Sequence, residues 1–209
     1  MRRVTSTTVL AAVLLAGPAA AGDSFIGLNV GWAQPTGDLG DGFDGDPSFS
    51  GHLVVPVLGR LGVRGEVGHN RVSLDDTLRT ACEAVLGSCS GELKFTNVSA
   101  GLQYGGSGDG GALRMSALRV LPYVYATIGA YQVDGALTAT GLPEILRFDD
   151  VDATYLGLGF GSGVNFRVGE GWGVQGDVRV HAVRPSEDSR DLLDWAHFVT
   201  PSVGVWFSF

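Results

Sequence analysis

Few residues in this 209-residue chain could do chemistry. Cys82 and Cys89 lie seven apart with no histidine nearby, so a disulfide suits them better than a metal. Thr77–Leu86 reads as a short helix stopped by Gly87. Seven residues of straight helix rise about 10.5 Å, too far for a disulfide, so the chain must fold back at Gly87. His52, His69, His181 and His197 show no metal-ligand spacing. Asp38, Asp41, Asp44 and Asp46 crowd a glycine-rich stretch. Clustered carboxylates suit Ca²⁺, but these miss the EF-hand register, so the expectation is a solvated acidic rim with no resident metal. Gly157–Gly163 is not a phosphate loop, because Ser162 and Val164 fall where G-x-G-x-x-G needs glycine. Arg64 with Glu66, and Asp177 with Arg179, set opposite charges two apart, on one face if the chain is extended there.

The chain is extended there. Apolar and other residues alternate from Trp172 to Val183, with Val174, Val178 and Val180 opposite Gln175, Asp177, Arg179 and His181. The same period marks eight segments, roughly 24–34, 48–58, 61–72, 92–104, 117–132, 154–168, 172–183 and 199–209. Each approaches the roughly 9–11 residues a tilted strand needs to cross a bilayer, against about five or six in soluble proteins. Gly59-Arg60 and 169–171 are tight turns, and 105–116 is a somewhat longer glycine-rich link. The other gaps, 35–47, 73–91, 133–153 and 184–196, are long and hold most of the acids. Short links on one side and long ones on the other are the pattern of a transmembrane barrel. The glycine-rich face must point inward, making room for Tyr123, Tyr125 and Trp206 in a narrow lumen, while the Val/Leu/Ile/Phe face meets lipid.

Composition agrees. Charged residues make up 17% and apolar residues 44%, which excludes a disordered chain, and glycine, at 33 residues, is about twice its usual share. A net charge of −8 excludes a general nucleic-acid binder. The one long apolar run, Val9–Ala16, is too short to span a membrane. Preceded by Met1-Arg2-Arg3 and followed by Ala19-Ala20-Ala21, it reads as a cleavable signal peptide over 1–21, with the barrel domain over 22–209.

The opening FIGLNVGWAQPTGDLG, the central PYVYATIGAY and the closing VGVWFSF resemble the OmpA/OmpX-like small outer-membrane β-barrels of Gram-negative bacteria. The resemblance implies an outer-membrane location, contact with outer-membrane lipid, and both termini in the periplasm. It also implies that Phe209, with Phe207, Val205 and Val203, serves as the signal to the barrel assembly machinery. Such families hold structural barrels, adhesins, small channels and a few lipid-modifying enzymes. The enzymes pair a strand histidine with a serine two residues on. Here that place is Val183, which leaves only a shifted triad of His181, Ser186 and Glu187.

The expectation is therefore an all-β protein, one eight-stranded antiparallel transmembrane barrel after a signal peptide. It has a structural or surface-interaction role, no cofactor, no enzymatic activity and an extracellular ligand the sequence does not name. A narrow channel for small or apolar solutes is the second reading, and a lipid-modifying enzyme the third. Arg64 and Asp177 fall at one depth, as do Glu66 and Arg179, so the four are expected to pair across the lumen as a plug.

Overall fold

The computed structural model describes residues 23–106, 113–115, 118–140, 151–184 and 195–209. The expected signal peptide lies outside them. The strands are β1 (Phe25–Thr36), β2 (Phe43–Leu58), β3 (Leu61–Leu74), β4 (Ser88–Gly105), β5 (Leu113–Met115), β6 (Leu118–Thr140), β7 (Val151–Gly169), β8 (Trp172–Arg184) and β9 (Ala196–Ser208). Helix α1 (Asp76–Leu86) joins β3 to β4, and one 3-10 turn at Gly37–Leu39 joins β1 to β2. β4 pairs with β6 and β1 with β9, so eight long strands close an antiparallel barrel. The ninth strand, β5, is a three-residue arm on β6 within the 105–116 link. Phe25 and Ser208, paired in register, lie at the end of the barrel that holds this link and the tight turns.

The strands run further than expected at the opposite end. Segments read as loops at 35–47, 73–91 and 133–153 are partly strand, and β4, β6 and β7 reach 18, 23 and 19 residues. The reason is a reversal of polarity along each strand. On β3, Val63 and Val67 face out while Arg64 and Glu66 face in; further on, Arg71 faces out and Val72 in. On β6, Val124 and Ile128 face out and Thr127 in, whereas Gln132 is outward and Val133 inward. Beside lipid the apolar face must point out. Beyond the lipid, water is outside and the apolar face turns in, as in a soluble barrel. Period two persists across the switch, but its polarity inverts.

The lumen is accordingly layered. Near the termini Phe25, Val54 and Trp206 pack together. At the far end an apolar cluster includes Ala33, Leu39, Val72, Phe95, Val133, Val183 and Phe198. Polar side chains fill the length between them.

Inward-facing β7 is nearly bare, and β6 beside it is bulky. Tyr123 pairs with Gly163, Tyr125 with Gly161 and Thr127 with Gly159. A Cβ at Gly161 would run into the Tyr125 ring, and one at Gly163 would lie 2.6 Å from the Tyr123 hydroxyl. Gly176 faces lipid, and a Cβ there meets nothing nearer than 3.9 Å. Gly161→Ala is expected to cost about 1–3 kcal/mol by overpacking. Gly176→Ala should stay within about 0.5 kcal/mol of wild type. Urea unfolding of bilayer-folded protein measures both.

Candidate functional site

The candidate site is the middle of the lumen. Period two points Arg64 and Glu66 inward from β3 and Asp177 and Arg179 inward from β8, and all four are at least 95% buried. Glu66 bridges two arginines: Oε2 accepts from Arg64 Nη2 at 2.8 Å and from Nε at 3.0 Å, and Oε1 accepts from Arg179 Nη1 at 3.0 Å. Arg179 also donates Nε to the Tyr125 hydroxyl at 2.7 Å and Nη2 to Asp177 Oδ2 at 3.2 Å. Tyr123 donates to the same Asp177 oxygen at 3.2 Å, and Ser202 donates to the other. Arg64 Nη1 donates to Gln103 at 2.8 Å, and its guanidinium lies 4.0 Å from the Tyr125 ring centre.

Cross-lumen pairing is thus Glu66 to Arg179. The expected Arg64–Asp177 pair does not form. Arg64 turns to Glu66 on its own strand, because that carboxylate has a second oxygen and Gln103 and the Tyr125 ring add to the guanidinium's contacts. Asp177 is held by Arg179, Tyr123 and Ser202. Gln103 and Ser202 carry no signal in the sequence that marks them as network members. Their parity put them inside, but only the strand register sets them at this depth.

The network is sealed from both sides. Toward the termini, Gln175 donates to Asn29, and the Phe25 ring lies 6.0 Å from Trp206. Toward the far end, Phe95 of β4 meets Phe198 of β9 across the barrel at 5.2 Å, and Phe198 stacks on His181 at 4.5 Å. His181 Nδ1 is 2.8 Å from the Tyr131 hydroxyl, and Val183 belongs to the apolar cluster. Ser186 and Glu187 lie outside the described residues. His52 is buried beside Asn29; His69 faces outward, 3.1 Å from Thr96 Oγ1; the His197 ring stacks on Trp195.

Cys82 and Cys89 are joined, with Cα atoms 5.8 Å apart, and the chain reverses at Gly87 (φ +92°) as the spacing requires. Cys89 stands on β4. Asp75 caps α1, accepting from the backbone N–H groups of Thr77 at 2.7 Å and Leu78 at 3.2 Å. These bonds hold its carboxyl below the ordinary carboxylate range. Of the acidic stretch, Asp38 sits in the 3-10 turn, Asp44 and Asp46 lie on β2, and Asp46 is engaged by Ser73 and Arg71. Among the described residues no three His, Cys, Asp or Glu side chains group as a metal site.

The family model of the outer membrane protein beta-barrel domain matches residues 7–207. The chain belongs to this family. This outer-membrane barrel therefore resides in the outer membrane of a Gram-negative bacterium. Solved structures share its fold. Neisserial surface protein A is 15% identical, with a TM-score of 0.55 over 89% of this chain and 97% of that one. Ail, the attachment invasion locus protein of Yersinia pestis, crystallised with the heparin analogue sucrose octasulfate, is 16% identical (TM-score 0.52, 90% and 99%). OprG from Pseudomonas aeruginosa is 14% identical (0.51, 91% and 97%). No curated protein shows significant similarity to the chain.

Removing one partner of the buried Glu66–Arg179 pair should cost about 3–5 kcal/mol, because the other charge is stranded. Glu66→Gln and Arg179→Gln should therefore couple in a double-mutant cycle. Additivity within about 0.5 kcal/mol would show that they do not interact. A depressed carboxyl stabilises above its unfolded pKa and loses that contribution as pH falls through its folded value. Amide protection factors at Thr77 and Leu78, exchange rates divided into the intrinsic rate at each pH, should thus be steady above about pH 4 and fall below it. Asp75→Ala should abolish that dependence.

Proposed function

We propose that this outer-membrane barrel is a closed, membrane-embedded stalk with a structural or surface-interaction role and no enzymatic activity. One observation carries the reading: the Glu66–Arg179 bridge crosses the lumen beneath the Phe95–Phe198 contact, so two independent layers fill its section. An eight-stranded barrel is just wide enough for its own side chains. Function then falls to the far end, which faces outward when the termini are periplasmic. That end carries α1, its disulfide and the acidic residues Asp38, Asp41, Asp44, Asp75, Asp76 and Glu83. Their charge disfavours a polyanionic ligand and favours a basic one. At the other end Phe209, Phe207, Val205 and Val203 all face outward, where the barrel assembly machinery can read them.

Planar-bilayer recording tests the closed lumen. Wild type should give no ion steps, and Arg179→Ala alone should stay silent because the aromatic layer still seals. Arg179→Ala combined with Phe95→Ala, Phe198→Ala and Trp206→Ala, which opens the stopper at the terminal end as well, should conduct. Steps from wild type would favour the narrow channel and refute the stalk.

A further inference from the structure

We infer that the outer wall between β9 and β4 carries a specific site for one lipid whose phosphate headgroup has a net negative charge. Its lower part is an apolar groove on the lipid-facing surface, centred on Gly51 and walled by Leu28, Phe49, Val67, Val203 and Val205. Glycine is not forced there by packing. A Cβ at Gly51 would make ordinary contacts, 3.4 Å from Leu28 and 3.8 Å from Val67, unlike one at inward Gly161. The missing side chain leaves an apolar notch between Leu28 and Val67.

The upper corner of the groove changes chemistry in steps of two residues. On β3 the outward residues run Val67, His69, Arg71; on β4, paired in register, they run Val98, Thr96, Lys94. The order is therefore aliphatic, then an imidazole hydrogen-bonded to a hydroxyl at 3.1 Å, then two adjacent cations. A single lipid shows the same order: acyl chain, ester and glycerol or sugar, phosphate. His69 and Thr96 stand where the strands switch polarity, which is where a headgroup begins. One lipid meets all three layers.

Carboxylates share the corner. Asp46 lies 3.5 Å from Arg71; Glu92 lies 3.1 Å from Lys94 and 3.9 Å from Arg71; Asp134 pairs with Lys94 in register. Arg71 and Lys94 remain 44% and 48% exposed, and pairs so open to solvent are weak. A phosphate, with more charge and more acceptor oxygens, displaces Glu92. A second lipid-facing notch, at Gly176 between Val30, Trp32, Val178 and Pro201, has no pair of cations two strand steps above it among the described residues and serves as the internal control.

Native mass spectrometry of detergent-folded protein tests the site, with dioleoyl phosphatidylglycerol, dioleoyl phosphatidylcholine and inorganic phosphate as probes. Heat-modifiable gel mobility checks the fold of each variant. The expected result is one phosphatidylglycerol retained per barrel, with phosphatidylcholine held about tenfold more weakly. Gly51→Leu, which fills the notch, and the double variant Arg71→Gln/Lys94→Gln, which lies outside the bilayer, should each weaken retention about fivefold or more. Gly176→Leu should leave it unchanged, and millimolar phosphate should not compete. The proposal falls if the two lipids bind alike, or if the double variant or a folded Gly51→Leu retains phosphatidylglycerol fully. It also falls if phosphate alone displaces the lipid. A barrel dimer dispersed by Gly51→Leu would assign the groove to a second copy and overturn it as well.

Discussion

Glu66 has two carboxylate oxygens, and each holds a different arginine. Everything else in the middle of the barrel follows from satisfying that arrangement. Two guanidiniums expose ten N–H donors between them, far more than two carboxylates alone can orient. Gln103, Tyr125 and the aromatic face beneath Arg64 take up part of the remainder. Tyr123 and Tyr125 need room to do so, and β7 provides it by carrying glycine at the paired positions. A run of glycines that weakens a strand by itself is thus the condition for a well-coordinated ion network on the neighbouring strand.

The second organising constraint is the solvent outside the wall. Where lipid surrounds the barrel, charge is confined to the lumen. Where water surrounds it, Phe95, Val133, Val183 and Phe198 move inside and Arg71, Lys94 and Gln132 move out. The lumen is therefore polar only over the depth that lies within the membrane, with an apolar stopper at each end.

Most of the fold was legible in the sequence, because period two survives every local irregularity. Val54 and Pro56, which blur the alternation, do so because they face the lumen at the terminal stopper, where the inside is apolar. The upper strand ends read as loops in the sequence for the same physical reason. A search for apolar-out alternation fails once polarity inverts, although Val72, Phe95 and Val183 keep the parity of Glu66, Asn97 and Arg179. The four lumenal charges were readable by parity, but their partners were not. Parity gives the face of a residue; only register gives its depth, and Arg64 chose the nearer carboxylate. The turn at Gly87 could be deduced because a disulfide tolerates a narrow range of separations.

Phe25 pairs with Ser208, and the last residue, Phe209, donates its backbone N–H to Ser24. The wall thus has no closed form until the final strand arrives. Until then β1 and β9 are open edges, and the bond between Glu66 and Arg179, 113 residues apart in sequence, cannot shield either charge from the strands' apolar neighbours. Contacts of such span form slowly. During export the nascent chain is therefore an aggregation-prone ribbon with two reactive edges. That exposure belongs to the topology, independent of what the finished barrel does.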